Sequence, residues 1–157
     1  MLFRSDVAVR AFSENRVVQG DNQLEYYNLE NERITPEDLL ELPKGFITTD
    51  GVRENVEAFL LYTHNWLNGS GAVGLNNMME DAATAEISRV QLWTWMKNKA
   101  INEDTGKEIS LNFVLEVLDK VYTEKGGNME KAKRLVERLL KEEELSEFLT
   151  THAYELL

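Results

Sequence analysis

Two carboxylates, Glu80 and Asp81, stand where a glycine- and asparagine-bearing loop gives way to the apolar run Ala82-Ala83-Thr84-Ala85-Glu86-Ile87. The loop holds Gly69, Gly71 and Gly74 and leads through Leu75-Asn76-Asn77-Met78-Met79. An aspartate so placed has two uses. As a helix N-cap, Asp81 accepts a backbone N–H bond worth about 1 kcal/mol. As a general base on a rigid helix edge, facing a cleft under the loop, it contributes ~10²–10⁴-fold in rate. Composition alone favours the cap, and periodicity does not choose between the two. Glu86 and Arg89, three apart, read as a local ion pair. A metal centre made of Glu80, Asp81 and Glu86 is disfavoured, because these three do not converge on one helical face.

Other chemistries lack their residues. The sequence has no phosphate-loop glycine pattern and no Gly-x-Ser-x-Gly turn. With no cysteine, disulfides, thiolate zinc sites and a cysteine nucleophile are excluded. His64 and His152 are far apart and have no His or Cys at ligand spacing, so both read as packing or surface residues. The run Glu142-Glu143-Glu144 precedes a helical stretch, where negative charge interacts well with the helix dipole. A net charge of -11, with no basic cluster, argues against nucleic acid and anionic membranes as partners. No apolar run approaches membrane-spanning length, and the charged start Arg4-Ser5-Asp6 does not suit a secretory signal.

The elements that must position these residues are mostly helical. With 157 residues, 43% hydrophobic and only 2 prolines, the chain suits one folded domain of long helices. Residues 1–34 form an irregular approach segment in which Val7-Ala8-Val9 and Val17-Val18 suit short extended pieces and Glu25-Tyr26-Tyr27 is ambiguous. Residues 35–157 form the helical domain. Thr35 caps a first helix with Pro36 in its first turn, closed by Pro43 and Gly45. Asp50 opens a second, which Asn68-Gly69-Ser70-Gly71 ends. A third runs from Ala82 to about Asn98. Its apolar residues Ala83, Ile87, Val90 and Trp93 line one face and others spread around it, which predicts a central helix. Ser110 caps a fourth, stopped by Gly126-Gly127. Asn128 caps a fifth, with Met129, Ala132, Leu135, Val136, Leu139 and Leu140 as its apolar face, and a sixth lies near Leu145 to Leu156. The fold class is mainly α, an irregular helical bundle.

Three stretches carry a resemblance: Asp50-Gly51-Val52-Arg53-Glu54-Asn55; Tyr62-Thr63-His64-Asn65-Trp66-Leu67-Asn68-Gly69-Ser70-Gly71; and Met79 to Arg89 with Gln91-Leu92-Trp93-Thr94-Trp95. Together they closely resemble the C-terminal part of malate synthases. Looser matches lie at Asn22-Gln23-Leu24, Ile34 to Leu40, Phe148-Leu149-Thr150 and Tyr154 to Leu157. The family condenses acetyl-CoA with glyoxylate and hydrolyses the thioester to malate and CoA, an acyltransferase of the glyoxylate bypass. The resemblance implies that Asp81, in the family's Met-Glu-Asp motif, is the base that removes a proton from the acetyl methyl group. A helix start and apolar neighbours such as Met78 and Trp93 act oppositely on such a carboxylate's basicity. The resemblance also implies that the loop from Gly69 to Met79 helps form the acetyl-CoA tunnel, with Met79 and Gly71 as lining residues.

In the family a TIM barrel precedes this domain and supplies the Mg²⁺ ligands and an arginine that stabilises the enolate. Such a barrel needs about 200–250 residues and does not fit here. The chain is therefore expected to bind no metal itself, and to be close to inert without a barrel partner, since one oxyanion stabiliser is worth ~2.7–4 kcal/mol. Ala72 and Gly74 replace the Cys and Pro of many relatives, a change that bears on loop stiffness and tunnel shape. A non-catalytic helical binding module, which takes its partner on the fifth and sixth helices, is the competing reading. The expected compartment is the cytoplasm, or a peroxisome or glyoxysome in a eukaryote, although Glu155-Leu156-Leu157 is not a Ser-Lys-Leu-type terminus.

Overall fold

The computed structural model describes residues 5–14, 34–41 and 45–157. The chain divides into two compact units, Met1–Lys44 and Gly45–Leu157. In the first, α1 spans Ser5–Glu14 and α2 spans Pro36–Leu40. Val7-Ala8-Val9 are thus helical, not extended. The helical spacing of Val7, Ala8, Ala11 and Phe12 outweighs the strand preference of two valines. Thr35 caps α2 as the sequence predicts: its hydroxyl accepts from the Asp38 N–H at 3.2 Å, and Asp38 reaches back to the Thr35 N–H at 2.7 Å. Val17-Val18, Asn22 to Leu24, Glu25 to Tyr27 and Pro43 lie outside the described residues.

The second unit is a helical bundle around α3 (Thr49–Leu67). Its helix starts one residue before the predicted Asp50, with Thr48 as the cap accepting from the Gly51 N–H at 3.0 Å. Around it pack α4 (Ala82–Lys97), α5 (Leu111–Glu124) and α6 (Glu130–Leu140). Val52, Val56, Phe59 and Leu60 of α3 are fully buried among Leu92, Val114, Leu118 and Val136. The central helix is therefore α3 and not α4. On α4, Ala85, Ser88, Arg89 and Leu92 turn inward, while Ile87 of the predicted apolar face is 59% exposed. The described residues form no barrel.

Between α3 and α4 lies a feature that the sequence reading missed, a hairpin of β1 (Val73–Leu75) and β2 (Met78–Glu80). Val73 pairs with Glu80, Gly74 with Met79 and Leu75 with Met78. Its two-residue turn puts Asn76 and Asn77 at φ 48° and 65°. Positive φ at both centres is the turn that matches strand twist, and asparagine tolerates it better than most residues. A second short pair, β3 (Ile101–Asn102) and β4 (Lys107–Glu108), carries the buried Asn102, whose amide donates to the Thr49 hydroxyl at 3.0 Å.

Ser110 caps α5 as predicted, accepting from the Phe113 N–H at 3.2 Å. Asn128 does not cap α6. The N-cap position falls on Met129, which makes no side-chain cap bond, because Gly126 and Gly127 both take positive φ and the Tyr122 hydroxyl binds the Gly127 carbonyl and Glu130. The predicted sixth helix is shortened to α7 (Leu149–Ala153) and a 3₁₀ turn over Tyr154–Leu156. Ahead of it, the carbonyls of Glu142, Glu143 and Ser146 accept bonds from Trp93, Lys97 and Arg89. Those carbonyls serve α4 rather than a helical ladder.

Two ion pairs tie α3 to the end of α5: Arg53 with Glu124, and the buried Glu57 with Lys125. Phe59→Ala, which empties the centre of the bundle, is expected to lower the unfolding free energy by about 3–5 kcal/mol in urea titrations. The Arg53 guanidinium, through its hydrogen bond first and its charge second, holds the Glu124 carboxyl below its ordinary value. A depressed carboxylate stabilises the fold above its unfolded pKa, and the contribution fades as pH falls through the folded value. Glu124→Gln is therefore expected to lower the urea midpoint at pH 7, with the gap to wild type closing in the acid range.

Candidate active site

β2 delivers the chain directly to Asp81, which takes an extended conformation (φ -116°, ψ -169°) as the N-cap of α4. Its Oδ1 accepts from the Ala83 N–H at 2.9 Å and the Thr84 N–H at 3.3 Å. Among the described residues, Oδ2 has no hydrogen-bond partner. One carboxylate oxygen is thus anchored, and the other projects from an exposed residue on a rigid mount. Met79, two residues earlier, is 73% exposed, and Met78, Ala83 and Ile87 are also exposed, so this end of α4 carries a largely apolar surface. Gly71 is exposed and lies two residues before Val73, whose partner is Glu80. The hairpin register therefore brings Gly71 and Asp81 to the same open end, with Met79 on the returning strand. A Cβ at Gly71 or Gly74 would meet nothing within 4 Å, so neither glycine is required by contacts within this chain.

Tyr62 of α3 is 2% exposed and feels the charge of Asp81. Burial chiefly, and then the charges of Asp81 and Glu86, push its hydroxyl pKa up. Its place in the α3 pattern looks like any core position, and only its aromatic oxygen signals a polar neighbour.

Glu86 and Arg89 form the predicted ion pair, with Arg89 Nη2 2.7 Å from Glu86 Oε2. The pair is more than local. Arg89, 2% exposed, also donates from Nη1 to the Ser146 hydroxyl and from Nη2 to the Ser146 carbonyl, both at 3.0 Å. The second Glu86 oxygen, Oε1, accepts from the Leu149 N–H at 2.6 Å. Glu86 is fully engaged, and no group of three His, Cys, Asp or Glu side chains among the described residues could hold a metal ion. Among the described residues the carboxylates around Asp81 do not gather as a Mg²⁺ ligand set.

A sequence profile described as "Malate synthase, C-terminal" matches residues 46–157, well over half of the chain. The chain belongs to the malate synthase family. It is 41% identical over 138 residues to a bifunctional glyoxylate cycle protein of Caenorhabditis elegans, covering 83% of this chain and 14% of that protein. A malate synthase of rice, Oryza sativa subsp. japonica, is 42% identical over 136 residues, covering 79% of this chain and 24% of its own length. A maize protein named malate synthase, glyoxysomal, is 37% identical over 163 residues, covering 96% of this chain and 29% of its own length. The chain thus spans less than a third of the curated relatives it matches.

In this malate synthase domain no described helix is long and apolar enough to cross a membrane. The apolar face of α6, offered by the sequence as a partner site, is buried in the domain's own core. Arg89 is the structural fastener of the site helix. Arg89→Met removes the donors from Glu86 and from the Ser146 carbonyl, and is expected to destabilise by about 3–5 kcal/mol, as for breaking a buried pair. Hydrogen exchange should quicken first in residues 142–153.

Proposed function

We propose that this chain provides the catalytic base of malate synthase, Asp81, and one wall of the acetyl-CoA passage. The observation that carries the reading is the division of labour within one carboxylate: Oδ1 is tied to Ala83 and Thr84, and Oδ2 is left without a partner at the exposed apolar end of α4. Held this way, Oδ2 takes a proton from the acetyl methyl group. The C–H electron pair passes into the enolate of acetyl-CoA, whose methylene carbon bonds the glyoxylate aldehyde carbon. The aldehyde oxygen is protonated to the hydroxyl of malyl-CoA, and water then cleaves the thioester to give malate and CoA. Met79 and Gly71 flank the passage at the open end of the hairpin.

The Mg²⁺ and the arginine implied by the family resemblance fall to a barrel domain, and no step in this chain's share runs through them. Met78, Met79 and Ile87 form part of the surface on which that barrel docks, and the domain supplied is that of residues 35–157, with 1–34 as the approach. The isolated chain is proposed to be inactive, because Asp81 is open to water and lacks an oxyanion stabiliser. The proposed compartment is the cytoplasm, or a peroxisome or glyoxysome in a eukaryote.

The wild-type chain mixed with a separately expressed barrel domain is expected to restore glyoxylate-dependent release of CoA thiol, which neither piece gives alone. Asp81→Asn keeps a good N-cap, so the fold survives by circular dichroism, while turnover falls by ~10²–10⁴-fold. Turnover that survives this substitution sinks the assignment of the base.

A further inference from the structure

α3, the β1–β2 hairpin and α4 line an open-mouthed cavity of about 350 Å³ whose carboxylates the reaction above does not use. Among the described residues three carboxylates line it, Glu54, Glu57 and Glu80, and no basic side chain does. Glu57 is matched by Lys125 from outside the cavity. Glu54 and Glu80 have no ion-pair partner among the described residues. On the α4 wall stands Ser88, 4% exposed, whose hydroxyl makes no hydrogen bond among the described residues. That hydroxyl reaches the cavity with its lone pairs open to a donor that enters. The amides of Asn76 and Gln91 add further acceptors.

The chemistry of this lining selects the ligand. The acids do not converge as a metal-ligand group, so a divalent cation is not what the walls are arranged for. A planar cation with several N–H donors can instead serve acceptors on separate walls at once, which a compact ammonium does less well. We infer that this cavity binds a guanidinium group, presented as an arginine side chain by the domain that docks on this face. Met78 both lines the cavity and is 62% exposed, so the mouth opens onto the apolar surface beside Asp81. The identity of the occupant rests on the docking proposed above; the cation site itself does not.

The test separates the two. N-ethylguanidinium chloride is titrated into the ¹⁵N-labelled chain at constant ionic strength, with sodium chloride as the matched control. Saturable shifts confined to residues of α3, the hairpin and α4 around the cavity are expected. They should weaken at least about tenfold in Glu54→Gln/Glu80→Gln and measurably in Ser88→Ala, with the remaining spectrum unchanged. Equal shifts with sodium chloride, or undiminished binding in the double variant, overturn the site. In a second arm, the chain is bound to a separately expressed barrel domain. Binding weakened by the double variant supports the arginine. Binding that the double variant leaves intact overturns the occupant while leaving the docking proposal standing. Absence of any barrel binding beside a positive titration overturns the docked occupant and the docking proposal together, and leaves the guanidinium site.

Discussion

A guanidinium taken out of water must have its donors filled, and Arg89 fills them across 57 residues of sequence. Its Nε and Nη2 meet Glu86 one turn earlier on α4, and its remaining donors reach the Ser146 hydroxyl and carbonyl. Glu86 completes the loop by accepting from the Leu149 N–H. One charged pair thereby orders a segment that lacks helical bonding of its own and docks α7. Trp93 and Lys97 extend the same row along α4, each donating to a carbonyl of the Glu142-Glu143 stretch. The acidic run is therefore held by its backbone carbonyls, and its role is positional rather than purely electrostatic.

That row has a consequence for the other face of α4. Because Ala85, Ser88, Arg89 and Leu92 face the bundle, the helix is fixed in rotation, and the N-terminal Asp81 is fixed with it. The hairpin constrains the same point from the other side, since β2 ends one residue before the cap. The residue offered as a base is thus held by a turn of helix behind and a paired strand in front. Both supports lie on regular elements rather than on a free loop, which is the condition for holding a reactive group in a fixed geometry.

The helices were legible where a local rule governs them. Thr35, Asp81 and Ser110 announce their caps, and the glycine pairs announce their stops, because capping depends on a few neighbouring residues. Much of what escaped was set by long-range contacts, although the cap expected at Asn128 fell on Met129 for the local reason that Gly126 and Gly127 take positive φ. α4 looked central because it is apolar on several sides, yet its Ile87 face is outward and α3 holds the middle. The sixth helix lost its first half to partners on α4 that no window of sequence around Leu145 contains. The hairpin did have a local signal, two adjacent asparagines between short apolar runs, but three glycines nearby made the whole stretch read as loop. At the site, only the resemblance points to Met79 and Gly71, and the register that brings Gly71 and Asp81 to one end of the hairpin is visible only in the strand pairing.

The ambiguity of Asp81 has the same origin. A cap and a base demand the same residue type at the same helix position, so no pattern of neighbours can separate them. Geometry relieves the conflict, because the two roles need different oxygens: Oδ1 serves the backbone, and Oδ2 remains free among the described residues. On the proposed reading, capping is a mount for the catalytic atom rather than a rival to it, since a carboxylate pinned by two N–H groups cannot rotate away from its substrate. On that reading a second domain closes the site. A base exposed to bulk water shares its free oxygen with solvent, and a general base works against a weakly acidic C–H bond only when substrate, not water, occupies that position. The exposed methionines beside Asp81 are suited to excluding water only after another surface has closed over them.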